Sequence, residues 1–325
     1  MQKIKLSFVI TARNDNYGGN LISRTMTSIR VLTFLVNKYK IPSEIVLVEY
    51  NPVLNKKYFI NELTIPKNPF LSIRGIIVPS EFHNKVRKNN IPLLEYIAKN
   101  IGIRRSYGKY IIATNPDIII SESLIKFISE NKLNPHCFYR TNRSDISIKK
   151  FDETMPEEII LEKCKKNVVK IFYNTRTNYI SYLEWINRVI HGRKIKDLYF
   201  CPLLNYFNSP CKNKIHENAA GDFLMAYKNV WEAAHGYEET PNNLYHDGLI
   251  LYVLEALGHK QQVLSQPIYH INHDIGRAGR PGIEFKYFRK KTTEMQKTKI
   301  PNITNNTNWG FPKINFNEIF LTPKN

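Results

Sequence analysis

Residues 108–121 read GKYIIATNPDIIIS, an isoleucine-rich run broken near its centre by Asn115, Pro116 and Asp117. The flanking residues suit a buried strand, whereas Asn, Pro and Asp each favour a turn. Two readings of the triplet follow. Either it only turns the chain, or it ends a strand and presents the Asp117 carboxylate to a ligand.

The sequence on both sides bears on that choice. Residues 3–12 form an apolar run with Leu6, Phe8 and Val9, and the polar loop RNDNYGGN (13–20) follows it. A strand followed by a phosphate-sized loop is the natural reading. Ile22, Met26, Ile29, Leu32 and Val36 recur at spacings of three and four, the period of a helix with one buried face. EIVLVEYNP (44–52) and IRGIIVP (73–79) read as a second and third strand. Leu94, Ile97, Ala98 and Ile101 share one helical face, with Pro92 suited to a first turn and Gly108 to a helix exit. Residues 108–121 then make a fourth strand. Strands apolar on both faces, alternating with helices, predict an α/β fold with a mostly parallel, Rossmann-like sheet flanked by helices. In such sheets ligands sit at the carboxyl ends of the strands. TARND (11–15), EYNP (49–52) and TNPD (114–117) all fall there.

The rest of the chain is less regular. PEEIILEKCKKN (156–167) and TNYISYLEWINRVI (177–190) read as helices of an insertion spanning about 145–215. GDFLMAY (221–227) reads as a strand and KNVWEAAHGY as a short helix stopped by Gly236. Ile250, Val253, Leu254 and Leu257 mark a helix ended by Gly258. QPIYHINHD (266–274) closes the pattern, and the Lys-, Asn- and Thr-rich tail from about 282 is expected to wrap the surface or to be mobile.

Composition narrows the function classes. With 325 residues and 42% hydrophobic content, the chain can bury a large core. It holds no apolar run of the roughly 20 residues that span a bilayer, and no cleavage-site pattern precedes the first strand, so the expectation is a soluble cytoplasmic protein. Cys137, Cys164, Cys201 and Cys211 lack the spacing of a disulfide framework or a zinc site, and read as reduced thiols. The formal net charge of +19 attracts polyanions: nucleic acid, anionic lipid or phosphorylated small molecules. No nucleic-acid-binding signature accompanies it, which makes nucleic acid the less favoured partner.

Six blocks carry a more specific signal: SFVITARNDNYGGN, EIVLVEYNP, AKNIGIRRSYGKYIIATNPDIIIS, FYRTNRSDI, HENAAGDFLMAYKNVWEAAHGYEE and IYHINHD. In that order they resemble the nucleotide-diphospho-sugar glycosyltransferases of the GT-A fold, of an inverting, family-2-like kind, over about residues 5 to 275. The resemblance implies one GT-A catalytic domain over 1–281, with a nucleotide-binding half (1–120), an acceptor half (121–281) and a C-terminal extension (282–325). It also implies transfer of a hexose or hexosamine to a hydroxyl on a glycan, protein or lipid carrier. A UDP-sugar is the favoured donor and Mn²⁺ or Mg²⁺ the cofactor, with association at an anionic membrane surface a further option for the basic chain.

The same resemblance assigns roles. In that fold the fourth-strand motif is usually Asp-x-Asp, whose last Asp holds the metal and the diphosphate. Here Asn115-Pro116-Asp117 keeps the last carboxylate and loses the first. Thr11, Ala12 and Arg13, with Glu49, are expected to line the nucleoside pocket. Asp15 either joins them or caps the following helix. Arg104 is the expected diphosphate contact, ahead of Arg105. Asp222 is assigned to donor-sugar hydroxyls, against a simple turn acid, and His216 and Glu217 to the acceptor side. Asp247, in LYHDGLILYVLEALG, stands where similar enzymes carry the base, although a helix N-cap would also sit there. A histidine after the last core strand is a further metal ligand in similar enzymes. Residues three apart on a strand face opposite ways, so one of His270 and His273 is expected to reach the metal, His270 first. Trp231 and Tyr237 read as packing residues. A non-catalytic, nucleic-acid-binding scaffold on the same fold is the alternative from another class. A nucleotidyltransferase would want a Gly-rich loop with a basic residue, which NYGGN only faintly resembles.

Overall fold

The computed structural model describes residues 3–65, 67–88, 90–173, 177–179, 215–273 and 282–321. One sheet runs through them. Its first half alternates strand and helix: β1 (Leu6–Ala12), α1 (Leu21–Lys38), β2 (Ser43–Tyr50), β3 (Leu71–Val78), α2 (Ser80–Val86), α3 (Glu95–Arg104) and β4 (Tyr110–Thr114). Next come β5 (Ile118–Ile120), α4 (Glu122–Ser129), β6 (Cys137–Ile146), α5 (Glu157–Lys166), β7 (Val168–Phe172) and β8 (Thr177–Tyr179). The chain continues through β9 (Phe223–Tyr227), α6 (Lys228–Ala234), α7 (His246–Ala256), β10 (Lys260–Ile271), α8 (Gly282–Thr298) and β11 (Asn317–Phe320).

The strand order is β11-β3-β2-β1-β4-β9-β6-β10-β5, with β7 and β8 branching off β6. β3, β2, β1 and β4 are parallel, β9 is antiparallel to both β4 and β6, and β6 and β10 are parallel. The mostly parallel, helix-flanked sheet expected from the sequence is therefore the one observed. Every residue of β1, β2 and β4 is buried, because helices cover both faces. Side chains alternate between two layers: Phe8, Ile10 and Leu47 pack toward α1, while Val9, Val46 and Val48 pack toward α3.

Four sequence expectations need correction. The fourth strand is two strands. Pro116 has no N–H to give a ladder, so the chain turns at Asn115–Asp117 and Ile118–Ile120 pairs with β10 at the far edge of the sheet. Thr177–Tyr179, expected to open a helix, pairs with β7 as a strand, and the rest of that segment lies outside the described residues. α3 begins at Glu95, past Pro92.

The tail, finally, is part of the fold. α8 packs on α7, β11 pairs antiparallel with β3, and Trp309 and Phe316 join the α3-side core at 1% and 6% exposure. Among the insertion residues described, α5 lays Ile160, Leu161 and Cys164 into the α1-side core. No helix among the described residues is long and apolar enough to cross a membrane.

Candidate active site

Parallel pairing of β2, β1 and β4 sets their carboxyl ends side by side, which is where the polar strand ends fall. Ala12 lies opposite Glu49 in the β1–β2 register. Thr11, Ala12 and Glu49 are all buried, Glu49 to 1% exposure. Its Oε2 accepts from the Phe59 N–H, while Oε1 has no hydrogen-bond partner among the described residues. Burial raises the Glu49 carboxyl to about 7, against the Phe59 N–H and the Arg13 charge, which pull it down. Arg13 donates from Nε to the Asn51 carbonyl and from Nη1 to Asp15 at 3.0 Å. Asp15 also accepts from the Tyr17 N–H, so it orders its own turn and does not cap α1. That helix starts at Leu21, whose N–H is taken by Asn16 Oδ1.

The link from β4 to β5 places Asp117, which is 6% exposed. Ile118 pairs with His270 across the β5–β10 ladder, and the Asp117 carbonyl accepts from the Ile271 N–H at 3.1 Å. Register therefore brings Asp117 to His270. β10 ends at Ile271, so the chain has left the strand at His273. Strand alternation no longer governs that residue, and both histidines reach Asp117. Nε2 of His273 lies 3.1 Å and Nε2 of His270 3.8 Å from Asp117 Oδ2. The three side chains offer ligand atoms all within 4.8 Å of one another, a group able to hold a metal ion. On its other side His270 Nδ1 lies 3.2 Å from Asp145 Oδ1, a carboxylate positioned to orient the imidazole. One carboxylate and two imidazoles fit a first-row divalent ion.

Asp117 has a further partner that the sequence reading missed. Arg24 donates from Nη1 to Asp117 Oδ2 at 2.6 Å, with its side chain 1% exposed. Burial pushes the Asp117 carboxyl up, but the His273 hydrogen bond and the charges of His270, His273 and Arg24 outweigh it and hold it at about 2. Arg24 occupies the buried stripe of α1 with Leu21, Thr25 and Ser28. A charged residue inside an otherwise apolar or small helical stripe was the available signal.

Asn115 is not a spare metal ligand. Its Nδ2 donates to Asp222 Oδ1 at 2.8 Å and its Oδ1 accepts from Lys99 Nζ at 2.9 Å. Lys99, fully buried, also donates to Glu95 Oε1 and to the Gly221 carbonyl. Arg143 bridges Asp222 and Asp145 at 2.7 Å each. A continuous ladder thus runs from Glu95 through Lys99, Asn115, Asp222, Arg143, Asp145 and His270 to Asp117. An aspartate at 115 would set a second carboxylate against Asp222.

Asp247 lies in the first turn of α7, with Tyr245 as the N-cap, so the cap reading is corrected. Its Oδ2 accepts from the Gly221 N–H at 2.9 Å, and the residue is partly exposed. Arg140, fully buried, donates to the carbonyls of His216, Asn218 and Ala220 and so shapes the loop that carries Gly221. His216 contacts Asn142, and Glu217 accepts from Tyr252 and Arg289. Trp231 and Tyr237 are fully buried packing residues, as expected.

The chain matches no family model and no curated protein. Among solved structures it is similar to residues 1–349 of TarS from S. aureus, at 10% identity and a TM-score of 0.44, covering 94% of this chain and 68% of that one. It is also similar to the catalytic domain of Drosophila beta1,4-galactosyltransferase 7 in complex with xylobiose, at 8% identity and a TM-score of 0.43, covering 89% of this chain and 80% of that one.

Arg104 does not join the site. It ends α3, and the chain then enters β4 at its amino end, opposite the polar strand ends. Its guanidinium lies over the Trp309 ring, 4.9 Å from the centroid, while Arg105 donates to the carbonyls of Gly310, Phe311 and Ile314. Both arginines hold the C-terminal segment to the core.

Proposed function

We propose that this chain is an inverting glycosyltransferase that moves a sugar from a nucleoside-diphosphate donor, a UDP-sugar by preference, to a hydroxyl acceptor on a glycan, protein or lipid carrier. One observation carries the reading: Asp117, His270 and His273 converge, with ligand atoms within 4.8 Å, at the carboxyl ends of a mostly parallel sheet. A divalent cation bound there supplies Lewis-acid stabilisation to the leaving diphosphate. Two imidazoles beside one carboxylate favour Mn²⁺ over Mg²⁺, which prefers an all-oxygen shell.

The chain's own residues divide the remaining work. Thr11, Ala12, Arg13 and Asp15 border the nucleoside. The buried Glu49, whose Oε1 is unpaired among the described residues, can exchange hydrogen bonds with base or ribose. Asp222 faces the donor sugar from a rigid position between Asn115 and Arg143. Asp247, held by the Gly221 N–H and partly exposed, takes the proton of the acceptor hydroxyl as that oxygen attacks the anomeric carbon opposite the leaving diphosphate. Residues 1–120 form the donor half and 121–281 the acceptor half. The excess positive charge draws in the anionic donor and suits a peripheral position on an anionic membrane.

A thermal-shift panel of nucleotide sugars with and without Mn²⁺ tests the reading. A manganese-dependent rise in Tm with one donor class is expected, and no rise with any donor would overturn it. Asp247→Asn should abolish transfer and leave donor binding nearly intact. Loss of both would give Asp247 a structural role.

A further inference from the structure

The Asp117 oxygen that faces both imidazoles is the one that Arg24 holds. Oδ2 lies 2.6 Å from Arg24 Nη1, 3.1 Å from His273 Nε2 and 3.8 Å from His270 Nε2. A divalent ion taking that oxygen together with the imidazoles must contend with a guanidinium for the same lone pairs, and inside a buried site the two like charges repel strongly. Arg24 is itself firmly placed. Nε donates to the Gly19 carbonyl at 3.1 Å and Nη2 to the Tyr17 carbonyl, which ties the NYGGN loop to the cluster. Gly18, at φ +68°, sits so close that an added Cβ would stand 2.4 Å from His273 Nδ1 and 3.0 Å from Arg24 Nη2. The loop, Arg24 and the ligands therefore form one packed unit.

We propose that Arg24 couples cation and donor binding: it opposes the cation when no anion accompanies it, and it binds the diphosphate when both enter together. This rests on the donor-site reading above. A cation held by Asp117 brings the phosphates next to that carboxylate, within reach of the guanidinium, and the planar arginine fork matches phosphate oxygens. The diphosphate then supplies the negative charge that lets the cation and Arg24 share one site. Arg24 is a binding and positioning residue here, with no part in proton transfer.

The two halves of the proposal move in opposite directions, which a loosened loop would not mimic. Binding of Mn²⁺ alone is followed by electron paramagnetic resonance, and binding of UDP at saturating Mn²⁺ by calorimetry, on the full chain. Arg24→Met is expected to bind Mn²⁺ alone at least tenfold more tightly than the unsubstituted protein, and UDP at least tenfold more weakly. Arg24→Lys, which keeps the charge on a shorter and non-planar group, should leave Mn²⁺ affinity unchanged while UDP affinity falls. If either variant weakens both ligands together, or if Arg24→Met leaves Mn²⁺ affinity unchanged, the proposal fails. Should Arg24→Met not fold, Arg24→Lys decides alone by the same rule. Asp117→Asn separates the underlying reading. If it retains Mn²⁺ binding, the cation site is wrong whatever Arg24 does; if it loses Mn²⁺, the site stands and the Arg24 variants judge the coupling.

Discussion

Glu49→Gln combined with a change of pH isolates one buried acid. Burial lifts the Glu49 carboxyl from its ordinary 4.5 to about 7, so the folded protein holds a proton there that the unfolded chain releases earlier. The sign follows. Stability from this proton is fully present below pH 4.5 and is lost as pH rises through about 7. Between pH 5 and pH 8 the loss is about 2.5 kcal/mol, an upper figure for an acid with these two values. Gln is close in shape, keeps an oxygen for the Phe59 N–H and cannot ionise. Urea unfolding of both proteins at the two pH values gives the double difference directly, because every other titrating group cancels to first order. The substituted protein is expected to overtake the original by about 2 kcal/mol at pH 8 while lying near it at pH 5. A difference that stays constant with pH would refute the argument that burial governs this carboxyl.

Asp145→Asn removes the carboxylate behind His270 and should weaken Mn²⁺ binding by roughly 10- to 100-fold, measured by titration of the metal. Asn115→Asp replaces the donor to Asp222 with a like charge. Lys99 at 2.9 Å offsets much of the repulsion, so a loss of about 2 kcal/mol in unfolding free energy is expected, with no gain in metal affinity. Trp309→Ala empties a site that is 1% exposed and frees Arg104 from its ring. It should cost about 3 to 5 kcal/mol in denaturant unfolding, showing that the C-terminal segment belongs to the core.

The first 120 residues were largely legible because β1, β2, β3, α1 and α3 each have a clear period, whereas the short α2 went unread. The continuous apolar runs of β1, β2 and β3 and the spaced apolar residues of α1 and α3 gave both the element types and the parallel sheet. The strand ends followed, and with them Thr11, Glu49 and Asp117. What sequence hid depends on contacts between distant segments. Whether His273 joins His270 turns on where β10 ends, and local alternation misjudged that. Arg104 was misplaced because its role comes from Trp309, some 200 residues away in sequence and reached only when the tail folds back. Arg24, Lys99 and Arg143 were given no role from sequence. Lys99 and Arg143 each have one carboxylate partner nearby in sequence, Glu95 and Asp145, but the contacts that complete their burial come from distant segments: Asn115 and Gly221 at Lys99, and Asp222 at Arg143. The tail itself has a polar composition, and the few apolar residues that bury it, Phe288, Met295, Trp309 and Phe316, are widely spaced.

β5 is three residues long and lies at the border of the sheet. So short a strand has few ladder bonds of its own, and a slip of one residue against β10 would turn its side chains over. Asp117 immediately precedes it, and His270 faces Ile118 across the ladder. An ion shared by Asp117 and His270 would act as a rivet through this outer pair of strands, and its presence or loss would govern whether that margin frays. Amide exchange at Ile118, Ile119 and Ile120 becomes a gauge of site loading that needs neither sugar nor turnover.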